Sequence, residues 1–245
     1  MNDLHQTKNN LYLSLSFAAA VCLFCFVMHV MGNLWLINKH EWGVYPRQLS
    51  HWYGIFTSPF IHNSWGHLFA NLAPLFVTLT MIFFFYRSIS WAVFVMIWAL
   101  TGFAVFMFAR NSIHIGASGL VYGFIGFVFF SGIFRRNAKS IVLMAIVLIM
   151  YGGGYLSGML PTQPNVSWES HLFGAIAGLW TAFIFRNYRE KDEVIKKPDW
   201  YNDHTNKEYY LPRDAFDKTI AERDEEERIK KEEELNSGFT THSLW

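Results

Sequence analysis

The first three quarters of the chain contain very little acidic charge. Residues 1–186 carry nine Lys or Arg and only three acids, Asp3, Glu41 and Glu169. No Asp lies in any long apolar run, which excludes a two-aspartate membrane protease, and the zinc-protease motif HExxH does not occur. A phosphate-binding Walker loop and a dinucleotide fingerprint are also missing, and no basic patch interleaved with aromatic residues favours nucleic-acid binding.

Cysteine is nearly absent as well. Cys22 and Cys25 are the only two, and they lie three positions apart inside the first apolar run. This spacing occurs in redox and metal motifs, but no second cysteine pair completes a zinc site. The pair is therefore interpreted as small apolar residues on a lipid-facing or packing surface, and we expect no metal and no other cofactor.

Long apolar runs dominate what is present. About 20 mostly apolar residues cross a bilayer, and six runs have such a length: 11–37, 67–86, 90–109, 117–134, 140–157 and 168–185. Because a spanning segment must satisfy its own backbone polar groups, these runs are predicted to be helices. The alternating pattern of a barrel strand is missing. The sequence therefore predicts an all-α membrane protein, a bundle of six transmembrane helices.

Two polar regions lie outside the apolar runs, one between the first two runs and one after the last. Residues 38–66 are rich in aromatic side chains without a long apolar run, which predicts a first external loop lying in the headgroup region. Residues 187–245 hold eleven bases and sixteen acids. We therefore divide the chain into a membrane domain, 1–186, and a polar, acidic tail, 187–245, in which the charge-rich stretch 214–235 is predicted to form a solvated helix.

The positive charges predict the orientation. Six spans place both termini on one side, and that side holds most of the Lys and Arg near the span ends, so both termini are predicted to be cytoplasmic. The second, fourth and sixth spans then begin at the outer surface. The polar residues at these three starts are consequently expected at one depth, a turn or two below that surface; they are His67, Asn71, Ser118 and His171.

Ser118 is the first candidate for chemistry. A serine in an apolar helix is commonly a packing residue that bonds to a carbonyl one turn back. Here Gly116 and Gly119 flank it and permit a tight helix entry. The N-terminus of the following helix favours developing negative charge, and Tyr122, four residues on, shares the face of Ser118. These features favour a nucleophile.

His171 is the matching candidate for a base, because serine is a weak nucleophile without one. The alternative is an ordinary interfacial histidine. Gly174 and Gly178 lie three and seven residues further on and form a small-residue stripe on the face of His171. If the neighbour on that face is the fourth span, the imidazole meets the hydroxyl. Glu169 is two residues away and points elsewhere, so the sequence predicts a dyad without an acidic member.

His67 and Asn71 lie four residues apart on one face of the second span. One reading is that they bond to each other or to a loop. The other is that they donate hydrogen bonds to the oxyanion of a tetrahedral intermediate, together with the backbone N–H of Ser118. His62 lies just before this span and is a candidate for holding the loop by hydrogen bonds.

Three motifs over residues 11–186 resemble those of the rhomboid family of intramembrane serine proteases. They are His67-Leu-Phe-Ala-Asn71, Gly116-Ala-Ser-Gly119 followed by Tyr122, and His171-Leu-Phe-Gly174 followed by Gly178. The resemblance implies Ser118 as nucleophile, His171 as base and acid, His67 and Asn71 around the oxyanion, and Tyr122 stacked on His171. The chain departs from the family at Tyr53-Gly54, where members often carry Trp-Arg.

The resemblance also implies a function. The chain is expected to cleave transmembrane segments of other proteins near their outer ends, inside a lipid bilayer and without a cofactor. A non-enzymatic relative that binds transmembrane helices is the alternative, but it would have no chemical need for the serine, the histidine and the oxyanion donors together. The expected location is the bacterial cytoplasmic membrane, and no oligomeric state is predicted.

Overall fold

The computed structural model describes residues 2–161, 167–190, 193 and 216–239. They form two compact units, Met1–Val194 and Ile195–Trp245. The predicted division of the chain at residue 186 stays a prediction.

Seven long helices make up the described part of the chain, which contains no β-strand beyond one isolated bridge. In chain order they are α1 (Asn2–Asn33), α2 (Trp65–Phe85), α3 (Ser90–Phe108), α4 (Ser118–Arg135), α5 (Ala138–Gly158), α6 (Trp168–Ile184) and α7 (Ile220–Phe239). The first six follow the six predicted runs, so the all-α architecture is confirmed.

Five of these helices, α1 to α5, are long and apolar enough to cross a membrane. The sixth predicted span, 168–185, coincides with α6, whose 17 residues lie at the lower end of the range for a spanning helix. That α6 also crosses the membrane stays a prediction. The first predicted span, 11–37, differs most, because α1 begins near the N-terminus and ends at Asn33. Trp35, two residues beyond, has a left-handed backbone that a helix does not accommodate (φ 59°).

Local sequence explains several helix ends. The Ser64 side chain caps α2 by accepting the His67 N–H at 3.2 Å, and Asn137 caps α5 by accepting the Ser140 N–H at 2.8 Å. Arg136 adopts a left-handed conformation (φ 52°) that ends α4. Within α2, the hydroxyl of Thr78 bonds to the carbonyl of Pro74 at 2.7 Å.

α4 is the central helix of the bundle. In its most apolar stretch 67% of the residues are buried within the protein, against 11% for α5. α4 packs against α2, α3, α5 and α6. Its Phe124 and Phe127 join Leu75, Leu79 and Ile82 of α2 in the main apolar core. Because α5 leaves most of its surface uncovered by protein, it is the helix of this group with the fewest internal restraints.

The first loop is folded onto the C-terminal half of α3. Arg47 donates from Nη1 to the Ala109 carbonyl at 2.8 Å, and Trp98 donates from Nε1 to the Phe56 carbonyl at 3.1 Å. Gly54 packs so closely that a Cβ there would lie 2.2 Å from the Gly43 carbonyl oxygen. A side chain does not fit at this position, which gives a physical reason for glycine in the Tyr53-Gly54 pair.

The described part of the second unit is the charged helix α7. Thr219 and Glu222 form a capping box: the Thr219 N–H donates to Glu222 Oε2 at 2.8 Å, and the Glu222 N–H donates to Thr219 Oγ1 at 3.4 Å. Arg228 pairs with Glu225 one turn earlier at 2.9 Å. A helix is therefore present in the tail, at Ile220–Phe239, where the sequence predicted one at 214–235; residues 214 and 215 lie outside the described residues.

Candidate active site

The starts of α2, α4 and α6 meet at one cavity. Ser118 is the first residue of α4, His171 lies in the first turn of α6, and His67 is the third residue of α2. These three residues and Asn71 all line a cavity of about 940 Å³. The convergence predicted from the alternating directions of the helices is present in the structure.

The cavity lies between α2 and α5. Its α2 wall includes Ala70 and Pro74, and its α5 wall includes Met150, Tyr151 and Gly154. The same space is lined by polar residues from the loops, namely His40, Asn63, Ser64, Arg110, Ser112 and Ser167. The cavity therefore combines apolar walls with a polar rim next to Ser118 and His171.

The ring of His171 is fixed on two sides. Tyr122 stacks on it with a centroid separation of 4.1 Å and an interplanar angle of 2°. His171 Nδ1 lies 2.7 Å from the carbonyl oxygen of Gly158. A carbonyl oxygen only accepts, so Nδ1 carries the ring proton and Nε2 keeps its lone pair. The ring is thereby held in the tautomer that a general base needs.

The end of α5 supports this stack. The Tyr122 hydroxyl donates to the Gly154 carbonyl at 3.3 Å, and the Tyr155 hydroxyl donates to the Tyr122 carbonyl at 2.8 Å. A Cβ on Gly158 would lie 1.8 Å from the Tyr122 hydroxyl oxygen. A larger residue at position 158 would clash with the edge of this stack, so the last turn of α5 helps to form the site.

Ser118 follows a tight entry to α4 that requires glycine. Gly116 has φ +109°, and a Cβ there would lie 2.7 Å from both Cε1 and Nε2 of His67. The Gly116 N–H donates to the Ser58 carbonyl at 2.9 Å. Glycine thus serves two needs at once, a positive φ and the close approach of the His67 ring.

His62 holds the residue before the serine. Its Nε2 accepts a hydrogen bond from the Ala117 N–H at 3.3 Å, and its side chain is completely buried. Burial and the neighbouring His67 lower the pKa of His62 to about 3, so it is neutral and Nε2 keeps the lone pair that this bond requires. His62 therefore anchors the segment directly before Ser118, whereas the sequence indicated only that it could hold a loop.

Glycines bring the nucleophile and base helices together. A Cβ on Gly174 would lie 2.0 Å from the Gly119 carbonyl oxygen, and a Cβ on Gly178 would lie 2.1 Å from the Gly123 carbonyl oxygen. The backbones of α4 and α6 are thus in direct contact, as the small-residue stripe predicted. This contact explains why His171 and Ser118 line the same cavity.

His67 and Asn71 are linked, but through the backbone. Asn71 Nδ2 donates to the His67 carbonyl at 2.8 Å, the ordinary spacing of one helical turn. The amide has a second N–H, and Asn71 lines the cavity. The hydrogen bond between the pair that the sequence allowed therefore exists, and it leaves one amide donor and the His67 ring for the cavity.

Glu169 does not bond to the base. Its carboxylate lies 3.3 Å from Nε of Arg110, while Nδ1 of His171 is taken by Gly158. No group of three or more metal-ligating side chains occurs among the described residues.

No hydrogen bond joins Ser118 to His171. Hydrogen bonds between catalytic residues often tighten only when substrate binds.

One polar cluster beside the site was not predicted from the sequence. His114, Ser167 and Ser170 are joined by hydrogen bonds between the loop before α4 and the start of α6. A serine directly before a helix is a helix-start signal, but its partner His114 lies 53 positions away in sequence and only the fold brings it near.

Comparison with known proteins agrees with this geometry. Residues 49–188 match the Rhomboid domain family, which is more than half of the chain. The chain belongs to the rhomboid family. Members of this family are generally intramembrane serine proteases, and the protein is a multi-pass integral membrane protein.

Relatives occur in mycobacteria. An uncharacterised protein of Mycobacterium bovis is 31% identical over 192 residues, which cover 75% of this chain and 78% of the relative. A protein of Mycobacterium tuberculosis gives the same values. An uncharacterised protein of Mycobacterium leprae is 33% identical over 154 residues, covering 59% of this chain and 61% of the relative.

Proposed function

We propose that this rhomboid-family protein is an intramembrane serine protease that cleaves transmembrane segments near their outer ends through a Ser118–His171 dyad. The observation that carries the proposal is the shared cavity: Ser118 and His171 both line it, and the imidazole is held with Nε2 as the free base. Both termini are proposed to be cytoplasmic, in a bacterial cytoplasmic membrane.

The first step is nucleophilic attack. His171 Nε2 removes the proton from Ser118 Oγ while Oγ bonds to the scissile carbonyl carbon. The Gly158 carbonyl takes the place that a carboxylate has in a triad, because it orients the ring through Nδ1–H. Its partial negative charge also stabilises the imidazolium that forms.

The tetrahedral intermediate carries its charge on the former carbonyl oxygen. The proposed donors are the Ser118 N–H at the start of α4, the second N–H of Asn71 and the His67 ring. The helix N-terminus adds a favourable dipole. The Ala117 N–H is already occupied by His62, so it is not part of this set.

Collapse of the intermediate completes the cycle. His171 returns the proton to the leaving amine, and an acyl enzyme remains on Ser118. A water molecule entering from the polar rim then attacks the acyl carbon while His171 takes one of its protons. The bond to Ser118 Oγ breaks, His171 returns that proton to Oγ, and the new carboxylic acid leaves. The proposed route for the substrate is the gap between α2 and α5, whose apolar walls suit a transmembrane segment.

Replacing each dyad residue tests the proposal. Ser118→Ala and His171→Ala are each expected to abolish cleavage of a reporter transmembrane substrate in detergent or vesicles. Ser131→Ala is the matched control, because Ser131 is a buried serine on the same helix that does not line the cavity. A fluorophosphonate probe should label the wild type and the control but not Ser118→Ala.

Cleavage by a folded Ser118→Ala protein at the wild-type rate would refute the dyad. A wild type that binds transmembrane helices but neither cleaves them nor reacts with the probe would instead favour the non-enzymatic alternative.

A further inference from the structure

A chain of three hydrogen-bonded side chains ties the nucleophile loop to the base helix. Ser170 Oγ lies 2.6 Å from Ser167 Oγ, and Ser167 Oγ lies 2.5 Å from Nδ1 of His114. On the other side of the ring, His114 Nε2 lies 3.1 Å from the Arg110 carbonyl oxygen. None of these residues has a role in the chemistry proposed above.

The protons in this chain have one consistent arrangement. The Arg110 carbonyl only accepts, so Nε2 of His114 carries the proton and Nδ1 is an acceptor. Ser167 therefore donates its hydroxyl proton to His114, and its oxygen accepts from Ser170. Burial keeps His114 neutral by lowering its pKa, against smaller opposing effects of the Arg110 carbonyl and Glu169. The hydrogen bonds then run in one direction, from Ser170 through Ser167 and His114 to the Arg110 carbonyl.

Ser167 does not make the hydrogen bond that is usual at its position. It is the N-cap residue of α6, yet its side chain makes no cap hydrogen bond to the first turn of that helix. An N-cap serine normally accepts from a backbone N–H two or three residues on. Here the hydroxyl bonds to His114 instead. Ser167 therefore joins the start of α6 to the loop before α4 and does not cap α6.

His114 itself is held firmly. Its side chain is 2% exposed, and its backbone pairs with Val44 of the first loop through two hydrogen bonds of 2.9 and 3.0 Å. It lies four residues before Ser118, while Ser167 lies four residues, about one helical turn, before His171. The hydrogen bond between His114 and Ser167 therefore connects the two chain segments that carry the nucleophile and the base.

We propose, on the basis of the protease function above, that His114 is a positioning residue that sets the separation of Ser118 and His171 through Ser167. The glycine contacts fix α4 and α6 along their length, and the His114–Ser167 bond fixes the first turn of α6, where the base lies. Loss of this bond leaves the cavity and the dyad present but allows the base to move away from its working position.

Kinetics of His114→Phe test this role. Phenylalanine fills the ring's space without its nitrogens, and kcat is expected to fall about 10- to 100-fold, since displacements near 1 Å have effects of that size. KM should change less than about twofold, because in this proposal His114 does not touch substrate. His114→Asn should recover much of kcat, since its amide oxygen can accept from Ser167 as Nδ1 does.

Ser167→Ala provides a second test in case His114→Phe does not fold. Ser167→Ala removes the other partner of the bond and should lower kcat to a similar degree. If both act through one hydrogen bond, the double variant should be no slower than the worse single variant. Thr181→Val is the matched control: it deletes a buried hydroxyl bonded at 2.7 Å to Ala177 O on the same helix, far from the cavity, and should keep kcat.

The outcomes separate this inference from the protease function. Cleavage by the wild type and none by Ser118→Ala establishes the proposed function whatever the His114 variants do. Folded His114→Phe and Ser167→Ala proteins with lowered unfolding temperature but wild-type kcat would overturn the positioning role. Equal losses in His114→Phe and His114→Asn would overturn it too, because the restored acceptor would then have no effect.

Discussion

Replacing Gly174 by alanine probes the contact on which the site depends. The new Cβ would lie 2.0 Å from the Gly119 carbonyl oxygen and 3.2 Å from the Gly123 backbone nitrogen. Carbon and oxygen atoms do not approach so closely, so α4 and α6 must separate by at least about 1 Å. Both partners are backbone atoms of packed helices, and no side-chain rotation relieves the clash.

Two opposing effects determine the size of the change. Overpacking of a tight core costs about 1–3 kcal/mol, and a backbone contact belongs at the upper end. Alanine offsets about 1 kcal/mol of this because it is the better helix former. The net loss is about 2 kcal/mol, or about 30-fold in the ratio of folded to unfolded protein. Since His171 lies one turn before Gly174, kcat should also fall by about 100-fold.

Gly153→Ala is the matched control for this experiment. Gly153 is also helical, but apart from its chain neighbours and the backbone of its own helix no atom lies within 4 Å of where its Cβ would be. Gly153→Ala should therefore show only the gain in stability that comes from the higher helix propensity of alanine. The assays are equilibrium unfolding in mixed detergent and cleavage of a reporter substrate. Equal stability and equal kcat in the two variants would show that α4 and α6 do not depend on this close contact.

Three further predictions concern the oxyanion, the gate and the tail. Asn71→Ala should slow cleavage by up to about 10²–10³-fold while leaving probe binding measurable, and a wild-type rate in a His67 and Asn71 double variant would remove α2 from the site. Cysteines at Ala70 and Met150, joined by a cleavable bifunctional reagent in a chain without native cysteines, should block cleavage of a whole transmembrane substrate but not fluorophosphonate labelling. Unchanged turnover with the link complete would refute entry between α2 and α5. A chain ending at Val194 should keep full activity in detergent, whereas one ending at residue 189 should unfold more readily, and equal unfolding curves for the two would contradict the reasoning.

The reason for the last prediction is an ionic cluster that follows α6. Arg135 is 5% exposed and donates to the Tyr188 carbonyl, and its Nη2 lies 3.2 Å from Glu193 Oε2. Lys139 lies 2.9 Å from the other oxygen of Glu193. Removing Glu193 would leave Arg135 buried without its carboxylate, which is costly. The proposed removable tail therefore begins after this cluster.

The sequence determined the helices and which residues are proposed to react. Apolar runs of membrane length must become helices because each must satisfy its own backbone, so six predicted runs and six observed helices coincide to within a few residues, except at α1. Alternating direction then placed His67, Ser118 and His171 at one end of the bundle. The spans and their directions follow from hydropathy, charge and chain order, whereas the roles of the polar residues follow from their chemistry and from the family resemblance.

The tertiary structure decided which atoms face each other. The Gly158 carbonyl accepts a hydrogen bond from His171 Nδ1–H, and His62 accepts one from the Ala117 N–H. The two residues of each pair belong to different helices or loops. His114 and Ser167 are 53 residues apart, and neither residue signals the other in the sequence. Helical periodicity shows which side of a helix a residue occupies, but the partner across the gap depends on how closely two helices approach. In this protein the contact of α4 with α6 at Gly119 and Gly174 set that distance.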